Sequence, residues 1–185
     1  MQTTQYITEI INELSRTADL LANEEAEKLV DKILQSKKIF VAGAGRSGFM
    51  VKSFAMRMMH MGLDAYVVGE TVTPNLQSDD LLIIGSGSGE TKSLVSMAEK
   101  AKSLGAGVAL VTIFPESKIG QLADVAIKLP AKAKAEKDSE YHTIQPMGSL
   151  FEQSLLLFLD AVILRFMEKK GLDSDTMFTR HANLE

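Results

Sequence analysis

Five short runs, over residues 39–42, 65–68, 81–84, 108–114 and 125–129, are apolar at nearly every position. A strand of that kind must be covered on both faces, which is the condition of a parallel sheet with helices on either side. The stretches between the runs supply those helices. Residues 47–61 have helical spacing and a run of methionines, and residues 91–104 form a second helix closed by Gly105 as a C′ glycine. Upstream, Ile7, Ile10, Ile11, Leu14 and Leu21 recur at three- and four-residue steps. Asn23 then reads as the N-cap of a helix whose apolar face is Ala26, Leu29, Val30, Ile33 and Leu34, with Glu24, Glu25 and Glu27 at its positive end. The expected fold is α/β, a flavodoxin-like doubly wound parallel sheet of five strands in the order 2-1-3-4-5.

A last helix is expected from Ser149 to about Lys170. Leu155, Leu156, Leu157, Phe158, Leu159, Val162, Ile163, Leu164 and Phe166 make it apolar nearly all round, so several of its sides should be buried. It reads as a core helix that also packs against another copy of the chain. The expected organisation is one domain with its core over 26–170, a helical extension over 4–22 and a tail over 171–185. Residues 130–143 shift to Lys, Ala, Glu and Asp, the composition of a solvated loop, with a substrate lid as the sharper alternative.

Two loops in this pattern carry chemistry. Gly43-Ala44-Gly45-Arg46-Ser47-Gly48 follows the first strand, and Ser86-Gly87-Ser88-Gly89-Glu90-Thr91 follows the third. In the 2-1-3-4-5 order the first and third strands are neighbours at the point where the chain reverses direction, and ligands bind outside their carboxyl ends. Glycine lets a backbone come close to an anion, and a helix N-terminus offers unpaired N–H groups. The hydroxyls of Ser47, Ser86, Ser88 and Thr91 add donors. Ordinary helix capping would explain one such loop; two at one switch point imply a phosphate site, with Gly87 and Gly89 permitting the approach. Arg46 can reach phosphate or sugar hydroxyls. Glu90 can accept a sugar hydroxyl or merely complement its helix.

Composition narrows the partners. A net charge of -4 argues against nucleic acid and anionic membrane surfaces. The absence of cysteine fits a reducing cytoplasm. The start of the chain lacks the order of a secretory signal, and its most apolar stretch is too short and interrupted to span a bilayer. Gly43-x-Gly45-x-x-Gly48 also fits a dinucleotide fingerprint, with Glu70 where a ribose-binding acid would stand. Against it, little chain remains for a catalytic portion, there is no Tyr-x-x-x-Lys pair, and the second hydroxyl loop would go unused.

The two loops at this spacing resemble the sugar isomerase (SIS) domain family of phosphosugar-binding proteins. Within it the chain looks most like the 6-phospho-3-hexuloisomerases, through Gln145-Pro146-Met147-Gly148-Ser149-Leu150-Phe151-Glu152 and Arg180-His181-Ala182-Asn183-Leu184-Glu185. The resemblance implies interconversion of 3-hexulose 6-phosphate and fructose 6-phosphate in the ribulose monophosphate route, beside a hexulose phosphate synthase. It also implies no cofactor, no metal, and a homotetramer or dimer with sites near subunit interfaces. Related arabinose 5-phosphate isomerases usually have Lys where this chain has Arg46. A sensor that binds a phosphosugar without turning it over is the rival reading.

Such an isomerisation needs a base to take the C2 proton and return it at C3, and one carboxylate can do both. The resemblance places that acid/base at Glu152. Local sequence offers another role, because Ser149-x-x-Glu152 before an apolar run is also a capping box. His181 is the candidate for moving hydroxyl protons, from its own subunit or a neighbour's. His60 reads as a core or interface residue and His142 as a lesser candidate for substrate contact. No two histidines have helical ligand spacing.

Overall fold

The computed structural model describes residues 2–134 and 141–184. Its elements run in order as α1 (Thr3–Asp19), α2 (Asn23–Gln35), β1 (Lys38–Gly43), α3 (Gly45–His60), β2 (Asp64–Val67), β3 (Leu81–Gly85), α4 (Lys92–Ser103), β4 (Gly107–Thr112), α5 (Lys118–Leu122), β5 (Val125–Lys128), α6 (Ser149–Lys170) and α7 (Ser174–Phe178). The strands form one five-stranded sheet in the order β2-β1-β3-β4-β5, parallel throughout. Strand direction and order are those expected from the apolar runs.

Period-two alternation divides the core. Ile39, Val41, Leu81, Ile83, Ala109 and Val111 point to one face and meet α2, α3 and α6 through Ile33, Phe54, Met58, Leu155 and Phe158. Phe40, Ala42, Leu82, Ile84, Val108 and Leu110 point to the other and meet Leu94, Ala98, Ala101 and Ile119 of α4 and α5. Each fully buried Leu, Ile, Met or Phe stabilises this packing by about 1.5–3 kcal/mol relative to exposure.

Two local expectations change. Ala22, not Asn23, is the N-cap of α2; Asn23 is already helical, and Glu24 and Glu25 occupy the first turn. α5 and α7 were not foreseen, because five residues are too few to show a helical period. Their capping residues are the readable trace: the Ser117 hydroxyl accepts from Gly120 N–H, and the Asp173 carboxylate accepts from Thr176 N–H. α6 is buried on several sides, by Leu155, Phe158, Leu159, Val162, Ile163 and Phe166, while Leu157 and Leu164 are exposed. Within one chain it is a flanking helix packed on α1, α2 and α3.

Candidate active site

β1 ends at Gly43 and β3 at Gly85, side by side in register. The chain leaves them in opposite directions, so a crevice opens between the loops that follow. A cleft of about 530 Å³ lies there. Gly45, Ser47, Ser86, Gly87, Ser88 and Thr91 line it from the two loops; Lys134, Gly148, Phe151 and Glu152 line it from the approach to α6 and its first turn.

Two glycines are required by the geometry. A Cβ on Gly48 would come within 2.8 Å of the Gly43 carbonyl oxygen, so any side chain would part α3 from β1. Gly89 has φ 61°, and its Cβ would strike the Ser117 hydroxyl. The helix ends then act as donors. Ala44, Thr91 and Gly148 are the N-caps of α3, α4 and α6; all three line the cleft, and none caps its helix with a side chain. First-turn N–H groups and three positive dipole ends therefore collect at one place. The Ser86 hydroxyl accepts from Gly89 N–H and the Ser88 hydroxyl from Glu90 N–H, each at 3.2 Å, which leaves each hydroxyl its own proton to donate. Such an arrangement can cradle an anion of the size of phosphate.

Glu152 faces it as a carboxylate only 2% exposed. Arg46 Nε stands 2.6 Å from Oε2 and Lys134 Nζ 3.5 Å from Oε1. Both cations are more than half exposed, at 60% and 57% of their side chains, so they sit between the buried acid and solvent. The capping-box alternative fails: Gly148 is the N-cap and Ser149 already the first helical residue. Lys134 went unread in the sequence because nothing distinguishes it from the other lysines of a charged stretch.

The SIS domain family matches residues 32–158, from within α2 to the middle of α6. The chain belongs to the SIS domain family. It is 64% identical to 3-hexulose-6-phosphate isomerase of Bacillus subtilis (strain 168) over 185 residues, covering 100% of both chains. The enzyme of the same name from Mycobacterium gastri is 40% identical over 182 residues, 98% of this chain and 91% of that one. A solved structure from Methanococcus jannaschii, from which the molecular function of 3-hexulose-6-phosphate isomerase was inferred, superposes with a TM-score of 0.85 at 37% identity. That match covers 98% of this chain and 99% of the other.

Several residues expected at this SIS site stand elsewhere. Glu90 turns onto α5, where Oε1 accepts from Lys118 N–H at 2.8 Å and Oε2 pairs with Lys118 Nζ at 3.0 Å. The Lys118 backbone and side chain hold its carboxyl below the usual value. His181 lies in a second cleft, of about 440 Å³, formed by the end of α3, the second half of α6 and α7. Its ring stacks on His60 with centroids 5.4 Å apart. Ser47 and His60 occupy opposite ends of α3, about 20 Å apart along its axis, so His181 does not reach the phosphate cradle of its own chain. Burial, then Arg57 and His181, depress the pKa of His60. His142 lines a third cleft beside Arg16 and Thr17. Glu70 pairs with exposed Lys52 at 3.4 Å and is absent from the main cleft. Of the segment 130–143, read as a solvated loop or a lid, residues 135–140 lie outside the described residues, and Pro130 and Ala131 at its start are buried. Among the described residues no three His, Asp or Glu side chains gather as a metal cluster, and no helix is long and apolar enough to cross a membrane.

Proposed function

We propose that this chain interconverts 3-hexulose 6-phosphate and fructose 6-phosphate, as its full-length relatives are named for doing. One observation carries the reading: a buried carboxylate, Glu152, faces a phosphate cradle across a cleft sized for a sugar phosphate. The phosphate sits against the first-turn amides of α3 and α4 and the hydroxyls of Ser47, Ser86, Ser88 and Thr91. The sugar then extends toward Glu152.

Glu152 takes the proton from C2, and the C–H electron pair becomes the C2=C3 double bond as charge moves onto O3. Arg46 and Lys134, already beside the carboxylate, stabilise that oxyanion. O3 gains a proton, O2 loses one as the C2 carbonyl forms, and the proton on Glu152 passes to C3. A single acid on one face of the enediol suffices for both carbon transfers. His181 enters as the carrier of hydroxyl protons only from a second copy of the chain. Exposed Phe49, Met56, Leu157 and Leu164 support assembly into a homo-oligomer. The setting that fits this chemistry is the cytoplasm, beside a synthase that supplies the hexulose phosphate. The rival sensor would need the cradle alone; a buried acid at the cleft wall favours the enzyme, although His181 in its own chain does not add to that case.

The deciding experiment supplies 3-hexulose 6-phosphate in place from a hexulose phosphate synthase, with chelator present, and follows fructose 6-phosphate. Turnover by the native chain with a loss of about a hundredfold or more in Glu152→Gln supports the reading. No turnover by the native chain rejects the sugar assignment. Equal rates for the two return Glu152 to a structural role.

A further inference from the structure

Outside the cleft, α1 carries two buried polar side chains one turn apart, Glu13 at 4% and Thr17 at 5% exposure. Both are turned onto the connection between β5 and α6. The Thr17 hydroxyl donates to the Pro130 carbonyl at 3.2 Å, where that connection begins. Glu13 takes hold where it ends. Its Oε1 accepts from Ile144 N–H at 2.7 Å, and its Oε2 accepts from the Thr143 hydroxyl at 2.7 Å and from Gln145 Nε2 at 2.9 Å. The Thr143 hydroxyl accepts in turn from Gln145 N–H at 3.0 Å, so two of the three donor residues are tied to each other as well as to Glu13. Burial pushes the Glu13 carboxyl upward, but the bonds from Gln145, Ile144 and Thr143, with Arg16 nearby, bring it below its ordinary value. It is held as an anion in a ready-made set of neutral donors.

What this connection carries explains why the hold matters. Near its start are Ala133 and Lys134, both on the cleft wall, with Lys134 beside Glu152. Immediately after Gln145 the backbone passes through Met147 at φ 58°, a left-handed conformation unfavourable for a residue with a side chain, and then through Gly148 into the turn that bears Glu152. A strained residue persists only where its surroundings fix it. Gln145 is tied to Glu13 two residues before that strain.

We infer that Glu13 is a positioning residue for the isomerisation: by gripping residues 143–145 it sets where the first turn of α6 presents Glu152. The inference rests on the isomerase reading for its kinetic arm only. In Glu13→Gln the shape is kept, but one acceptor oxygen becomes an NH2 group facing a donor. We expect kcat to fall about tenfold or more while the affinity for fructose 6-phosphate, measured by calorimetry, stays within about threefold, because most of the phosphate's donors, the loop hydroxyls and the first-turn amides of α3 and α4, lie outside the segment that Glu13 grips. In a Glu152→Gln background the same change has little further effect, since the group it positions is gone. An unchanged kcat, or losses that simply multiply in the double variant, overturns the proposal.

Amide hydrogen exchange across residues 143–152 of the full chain supplies an arm that needs no sugar. Faster exchange there in Glu13→Gln, with protection in α4 unchanged, supports the grip. Unchanged protection across 143–152, or a uniform loss through the chain, overturns it whichever phosphosugar is turned over. Absence of turnover by the native chain is a failure of the sugar assignment and leaves the exchange result to decide the role of Glu13.

Discussion

Two glutamates in this molecule are almost equally hidden from water, and they are satisfied in opposite ways. Glu152 meets two cations, Arg46 and Lys134, whose own side chains are mostly in solvent. Glu13 meets a hydroxyl, a backbone amide and a side-chain amide, all neutral and all from one short stretch of chain. Cations on long exposed side chains can move to a substrate without leaving unpaired donors behind. The backbone N–H of Ile144 cannot, because it moves only with the chain that bears it. The first arrangement therefore suits a carboxylate that must exchange protons with a ligand, and the second suits one that must hold chain in place. Burial alone does not separate the two roles; the chemistry and mobility of the partners do.

The sharpest way to break this contrast is to neutralise Glu152. Glu152→Gln should lower turnover by about a hundredfold or more, yet cost little stability, because Arg46 and Lys134 remain solvated when their partner becomes neutral. Thermal unfolding beside the kinetic assay checks this; a large stability loss with modest kinetic change would make Glu152 a structural acid like Glu13. Next in size, Lys134→Met should reduce kcat about tenfold through the lost oxyanion partner, with a smaller change in KM. A pure KM effect would move Lys134 from the reacting oxygens to the phosphate. Smaller again, Ser86→Ala and Ser88→Ala should each raise KM several-fold and leave kcat nearly unchanged, because each removes one of many donors to a group that does not react. A fall in kcat alone would contradict the placing of the phosphate there.

The sheet and the two loops at its switch point were legible because their signals are local. Apolar runs such as 81–84 announce a strand covered on both faces, and the loops ending at Gly48 and Thr91 lie at the switch point that the strand order defines. The glycines of these loops read as places where the backbone nears an anion; that Gly48 is also needed against the backbone of Gly43 shows only in the fold. Lys134, Glu13 and the true partners of Glu152 were not legible, since each depends on contacts between residues far apart in the chain. Glu13 sits among Ile10, Ile11 and Leu14 and in sequence is one more acid on an amphipathic helix; only packing against 143–145 gives it three donors. Glu90 shows the reverse. Its place in a functional loop left a sugar contact and a part in complementing its helix both open, and α5, too short to be foreseen, supplies Lys118 as its partner instead. For His181 the sequence named the residue but not its surroundings, and in the chain it lies against His60 rather than the cradle.

The smallest expected effect separates the two acids by pH. The Glu13 carboxyl lies below its ordinary value of 4.5 in the folded chain, so folding favours its charged form. A group with a depressed folded pKa contributes stability that is fully present above the unfolded value and is lost as pH falls through the folded one. Thermal stability should accordingly decline from about pH 5 downward with a component that Glu13→Gln removes, flattening the slope relative to the native chain. Among the described residues, the charged or titrating neighbours on that surface are Arg16 of the same helix and Tyr141 and His142 of the facing segment. A second variant, His142→Gln, should therefore leave the slope below pH 5 in place. If His142→Gln flattens the slope and Glu13→Gln does not, then the hydrogen bonds at Glu13 do not outweigh its burial. The distinction between an acid held by neutral donors and one poised between cations would then rest on Glu152 alone.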